Sequence, residues 1–232
     1  NNKIEILEQH LGLQPSFITS SSNKIINNIA ALVKSSVDIK YLVKGVSNKK
    51  KLSTITPDIK TKKYAGISIG VAQDNAFGFY YADDIEKFKS LGARICYFNT
   101  LKDKSLPSVD ALFIGGGFPE LVAKELSSNK KMILSIKDFI NANKPVYAEC
   151  GGLMYLAKSM KINNKSFKMV GIINGRVVMH DKPVGRGYVE LIKSSKHPWL
   201  LSDDTIKAHE FHYSDLSLDA KPSNYAYKVK RG

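Results

Sequence analysis

The chain has 232 residues, 43% of them hydrophobic, enough for one large domain or a domain with a smaller appendage, and no apolar run approaches the roughly 20 residues that cross a bilayer. Its net charge of +14 comes from 35 Lys and Arg against 21 Asp and Glu, gathered in clusters such as Lys49-Lys50-Lys51 and Lys60-Thr61-Lys62-Lys63 that lack the interleaved aromatics of an RNA-reading surface. Two cysteines, Cys96 and Cys150, in unlike surroundings offer neither a disulfide framework nor a CxxC metal site. The expectation is a cytoplasmic globular protein with no nucleic-acid or membrane partner. The start, Asn1-Asn2-Lys3-Ile4-Glu5, is not a signal peptide and lacks Met, and suggests a piece of a longer chain.

In chain order, residues 3–46 carry helical spacing, with Ile25, Ile29, Leu32, Val33 and Val37 on one stripe and Ile39 to Val43 as a second short stretch. Residues 47–63, rich in Ser, Thr, Lys and Pro, read as a linker. Residues 1–63 are therefore expected to be a helical tail plus linker, and 64–232 a compact domain. In that domain Ala65 to Ala72 reads as a buried strand, Asp83 to Leu91 as a helix and Ala93 to Phe98 as a strand. Ala111 to Ile114 forms a strand ending in Gly115-Gly116-Gly117, two helices run from about Pro119 to Asn143, and Pro145 to Ala148 is again a strand. Strands alternating with helices predict an α/β fold, a mostly parallel, flavodoxin-like sheet with flanking helices and functional loops at the strand C-termini. Past Lys168 the β-branched segments Val170 to Met179, Val184 to Leu191 and Tyr225 to Val229 read as additional antiparallel strands.

Cys150, in Ala148-Glu149-Cys150-Gly151-Gly152, falls between a buried strand and the helix of Leu153 to Leu156. Glycines there permit a sharp turn that exposes a nucleophile above the sheet, and the helix N-terminus is expected to lower the thiol pKa. A Gly-Gly pair after a strand also suits a phosphate-binding turn. Cys96, inside an apolar strand, reads as structural. A nucleophilic thiol needs a base and an oxyanion hole. His209 and His212, in Ala208-His209-Glu210-Phe211-His212-Tyr213-Ser214, are the candidate bases. Their His-x-x-His spacing has no evident third ligand, so no metal is expected. Backbone N–H groups of Gly115-Gly116-Gly117-Phe118 are candidates for the oxyanion hole.

Four ordered segments carry a resemblance: Asp74-Asn75-Ala76-Phe77-Gly78-Phe79-Tyr80-Tyr81, Gly115-Gly116-Gly117-Phe118-Pro119-Glu120, Tyr147-Ala148-Glu149-Cys150-Gly151-Gly152 and His209-Glu210-Phe211-His212-Tyr213-Ser214. Together they resemble the cobyrinic acid a,c-diamide synthase family of class I glutamine amidotransferases. The resemblance implies the C-terminal glutaminase half of a ligase of cobalamin biosynthesis that hydrolyses L-glutamine and passes ammonia to a synthetase domain, in cis or as a separate subunit. That domain uses ATP and Mg to amidate the a and c carboxylates of cobyrinic acid. No G-x-x-x-x-G-K-[ST] loop occurs in this chain, so no cofactor is assigned to it. The family pattern continues past Gly232, which implies a truncated C-terminus. By position the resemblance makes Cys150 the nucleophile and His212 the base, gives the oxyanion to Gly116, Gly117 and Gly151, and offers Arg186 for the substrate carboxylate. Ser214 stands where triad glutaminases place a Glu, which implies a dyad. Hydrogenobyrinate or nickel sirohydrochlorin would use the same motifs, as would a catalytically silent binding module. Phe77, Phe79, Tyr80 and Tyr81 could line a domain interface or the ammonia path, or simply pack.

Overall fold

A computed structural model describes residues 22–47, 65–195, 197–198, 205–220 and 224–231. The chain divides into two units, Asn1–Thr61 and Lys62–Gly232. In the first, helix α1 (Ser22–Ser36) and helix α2 (Ile39–Ser47) occupy the predicted helical stretch, while the expected helix over residues 3–21 and nearly all of the linker lie outside the described residues. Asp38 starts α2 by accepting a 2.9 Å hydrogen bond from the Tyr41 N–H, satisfying one of the donors a helix start leaves unpaired.

In the second unit four strands form a wholly parallel sheet in the order β3-β1-β4-β6. They are β1 (Ser68–Ala72), β3 (Arg94–Phe98), β4 (Ala111–Ile114) and β6 (Val146–Ala148), with β2 (Phe77–Phe79) and β5 (Gly116–Gly117) pairing antiparallel beside them. Helices α3 (Ala82–Ser90), α4 (Ala123–Ser128), α5 (Lys130–Asn141) and α6 (Gly151–Leu156) supply the crossovers and the turn after β6. Helix α5 shows why the segment folds so: Met132, Ile136 and Phe139 recur at helical spacing and are all buried. They join Leu112, Ile114, Leu126, Tyr155 and Met160 in the main core. Because β1, β4 and β6 run parallel, the loops after Ala72, Ile114 and Ala148 all open on one edge of the sheet.

Beyond α6 the chain forms two further sheets. One has the order β12-β9-β7-β8, from β7 (Ala157–Ile162), β8 (Lys165–Lys168), β9 (Ile173–Met179) and β12 (Ser214–Leu218). The other is the antiparallel ribbon β11-β10-β13, from β10 (Gly185–Lys193), β11 (Ile206–His212) and β13 (Tyr227–Arg231). Within the first, β7 and β9 are parallel, so the flanking strands are not all antiparallel as the sequence suggests. The hairpin β7–β8 is an addition to the strands that the sequence pattern predicts. Its turn residues Asn163 and Asn164 both adopt positive φ, 44° and 63°, which suits a two-residue hairpin and which Asn tolerates.

Candidate active site

The β6–α6 junction holds Cys150 at φ 47°, ψ −113°, a conformation that a non-glycine residue adopts only when its surroundings impose it. Hydrogen bonds on both sides do so. The Glu149 N–H donates to the Ile114 carbonyl at 3.1 Å, the Gly152 N–H to Gly115 and Glu149 carbonyls at 3.1 and 2.8 Å, and the Met154 N–H to the Cys150 carbonyl at 3.1 Å. Two glycines permit the approach. A Cβ on Gly152 would stand 2.1 Å from the Ile114 carbonyl oxygen, and one on Gly117 only 2.0 Å from that of Ala76. The turn and the β4 loop are therefore in contact: a Cβ built on Gly116 would lie 3.6 Å from the Cys150 Cβ, and one on Gly151 only 3.2 Å from the Gly117 nitrogen. The elbow expected from sequence is present, and Gly116, Gly117 and Gly151 surround it.

The electrostatics differ from the sequence expectation. Burial pushes the Cys150 thiol pKa up, although the residue keeps solvent access on one side. Hydrogen bonds from the Gly151 and Gly117 backbones pull it down but do not win, and the carboxylates Glu120 and Glu149 push it further up. Helix α6 has only six residues, so its terminus is a weak counterweight. Glu120 itself is pushed up to about 7 by burial, with only its own backbone N–H opposing. Among the described residues it enters no ion pair. The sequence assigns it no role, and its one signal there is its place three residues after the glycine run.

His212 closes β11 opposite Gly185 of β10, so close that a Cβ on that glycine would fall 2.2 Å from the imidazole Nε2. Nδ1 lies 2.6 Å from the backbone carbonyl oxygen of Ser214, to which only an N–H can donate, so the neutral ring carries its proton on Nδ1 and leaves Nε2 as the basic nitrogen. The main-chain carbonyl at position 214 thus accepts from the imidazole where the sequence offers no Glu side chain. Nε2 faces the Glu210 carboxylate at 3.6 Å. Among the described residues no hydrogen bond joins His212 to Cys150.

His209 lies three residues before His212 on the same strand and so projects to the opposite face, which removes the two from a common ligand set. No group of three metal-ligating side chains occurs among the described residues. Arg186 pairs with Phe211 across the ribbon, its guanidinium 5.7 Å from that ring, on the face away from His212. The described contacts do not bring it to Cys150. His180 Nε2 lies 3.3 Å from an Asp215 carboxylate oxygen on the surface, and His10 lies outside the described residues.

A parallel sheet carrying a cysteine turn beside a glycine loop, with a mixed sheet and an antiparallel ribbon appended, has the architecture of class I glutamine amidotransferases. Over 72% of the chain it superimposes on PurLQS from Thermotoga maritima with a TM-score of 0.52, covering 76% of that chain at 14% identity. Over 71% it superimposes on a glutamine amidotransferase from the same organism with a TM-score of 0.50, covering 68% at 14% identity. Residues 68–232 match the CobB/CobQ-like glutamine amidotransferase domain, and the chain belongs to that family. Curated relatives named cobyrinate a,c-diamide synthase include that of Picrophilus torridus, 39% identical across 100% of this chain and 51% of its own length. That of Archaeoglobus fulgidus is 36% identical across 99% of this chain and 50% of its own. The chain thus spans about half the length of the curated relatives it matches.

Proposed function

We propose that this chain is the glutaminase part of an ATP-dependent amidotransferase that amidates the a and c carboxylates of cobyrinic acid. ATP and Mg are held by a synthetase domain outside these residues. The observation that carries the reading is the Cys150 turn, φ 47°, packed against Gly116 and Gly117. Such a turn presents Sγ and convergent N–H groups to one carbonyl.

In the proposed reaction the Cys150 thiolate attacks the amide carbon of glutamine, and the oxyanion is taken by N–H groups of Gly151 and of Gly117 or Gly116. His212 accepts the thiol proton at Nε2 and returns it to the leaving nitrogen; the C–N bond breaks and ammonia departs. Water, deprotonated by the same nitrogen, then cleaves the thioester to glutamate. At rest Nε2 lies 3.6 Å from the Glu210 carboxylate and makes no hydrogen bond to Sγ among the described residues, so the ring must reach Sγ before the first step. The raised thiol pKa fits this order, since the free protein is not poised as a thiolate and depends on the base.

In the complete protein Cys150→Ala should abolish glutamate release from glutamine while leaving amidation with free ammonia intact. His212→Ala should slow glutamate release by about 100-fold or more. Glutaminase activity that survives Cys150→Ala would overturn the proposal.

A further inference from the structure

Tyr80 stands where the parallel ladder between β1 and β4 stops. The register pairs Val71 with Phe113. Continued by two residues, it would bring the Gly115 N–H onto the Ala72 carbonyl. That rung is absent, and the Tyr80 hydroxyl occupies its place, donating to the Ala72 carbonyl and accepting from the Gly115 N–H at 3.0 Å. The Gly115 carbonyl, released from the ladder, instead accepts the Gly152 N–H at 3.1 Å. One phenol therefore ends the sheet and turns the β4 loop toward the cysteine turn.

The ring is held between the Gly115 backbone and the Phe113 ring. A Cβ on Gly115 would stand 2.6 Å from it, and Phe113 packs edge-on at 5.0 Å between centroids. Burial raises the phenol pKa, so the hydroxyl stays protonated and keeps both bonds at physiological pH.

We infer that Tyr80 is a positioning residue for glutamine hydrolysis: its inserted hydroxyl sets where the Gly116 and Gly117 N–H groups stand relative to Cys150. The inference rests on the proposed role of those glycines in the oxyanion hole. Without the oxygen, Gly115 closes onto Ala72 or loses its partner, and either outcome shifts the following N–H groups, to which oxyanion stabilisation is sensitive at sub-ångström scale. Iodoacetamide alkylation of the thiol needs no oxyanion hole and feels the shift only through the Gly117 hydrogen bond that lowers the thiol pKa, so it changes far less than turnover.

The test is Tyr80→Phe in the complete protein, which keeps the ring and deletes one oxygen. The expected result is a kcat for glutamate release lowered about 10- to 100-fold, below the roughly 100- to 1,000-fold of losing a donor outright. KM for glutamine and the rate of Cys150 alkylation by iodoacetamide should each stay within about threefold. Gly115→Ala strikes the same joint from the other side and should give the same pattern. The double variant should lose less than the product of the two single losses. A kcat within twofold of wild type for Tyr80→Phe overturns the inference, as does a loss in which alkylation and thermal stability collapse together. Cys150→Ala assayed in parallel separates the two readings: if it still releases glutamate, the glutaminase assignment fails rather than the role of Tyr80.

Discussion

At the scale of single residues, the thiol and its neighbours set a pH problem. Cys150 is flanked by two carboxylates, Glu120 and Glu149, and both oppose a second negative charge. Glu120 is the more informative because burial moves it from 4.5 to about 7. An acid whose folded pKa is raised binds more protons folded than unfolded between those values, so its contribution is fully present below pH 4.5 and is lost as pH rises through about 7. With solvent screening of the partly open carboxyl allowed for, the swing is of order 2 kcal/mol. Glu120→Gln should flatten the urea-unfolding stability profile over that window. It should also speed alkylation of Cys150 above pH 7, since one of the charges that raises the thiol pKa is gone. A variant with the wild-type pH profile in both measurements would show that Glu120 is solvated and uncoupled from the thiol.

His212 is the other residue whose role depends on what surrounds it. The Ser214 carbonyl fixes its tautomer, the Glu210 carboxylate lies 3.6 Å from Nε2, and in the proposed dyad the orienting group is therefore a backbone oxygen. Sequence identifies His212 only through its motif. The partner is invisible there, because every residue has a carbonyl and only the bend between β11 and β12 aims this one.

At the scale of elements, the site is a junction of three strand ends held by backbone contacts. Gly152 shows the cost of closeness. Alanine favours a helix over glycine by about 1 kcal/mol, which by itself predicts that Gly152→Ala stabilises α6. The added Cβ would sit 2.1 Å from the Ile114 carbonyl oxygen, an overlap that backbone cannot relieve without moving β4. The overlap wins: Gly152→Ala should destabilise the protein by at least about 2 kcal/mol, read from the denaturant midpoint. A neutral or stabilised variant would mean that the turn and strand are not in this contact. Elements were unevenly legible. The strands β1 and β4 are legible because burial on both faces leaves continuous apolar runs, and the half-exposed edge strands β3 and β6 because they remain mostly apolar, whereas β7 and β8, with exposed Lys158, Lys165 and Lys168, carry no such run and are not read as strands.

At the scale of the whole molecule, the +14 charge belongs to no single site. If the acceptor is a polycarboxylate, such a field raises its encounter rate and is screened beyond about 10 Å at 0.1 M salt. In the complete protein kcat/KM for the corrinoid should therefore fall as ionic strength rises, while kcat/KM for glutamine, a zwitterion, should change little. Equal salt responses would remove charge steering as a use for the lysines. Sequence alone determined the α/β class, the parallel sheet and the cysteine between strand and helix, because apolar periodicity and glycine placement are local consequences of burial and turn geometry. Only the tertiary structure decided the direction of the thiol pKa, the backbone partner of His212, the separation of Arg186 from His212 and the rung taken by Tyr80. Each of these depends on which groups from distant parts of the chain come within a few ångströms, and a linear pattern does not carry that information.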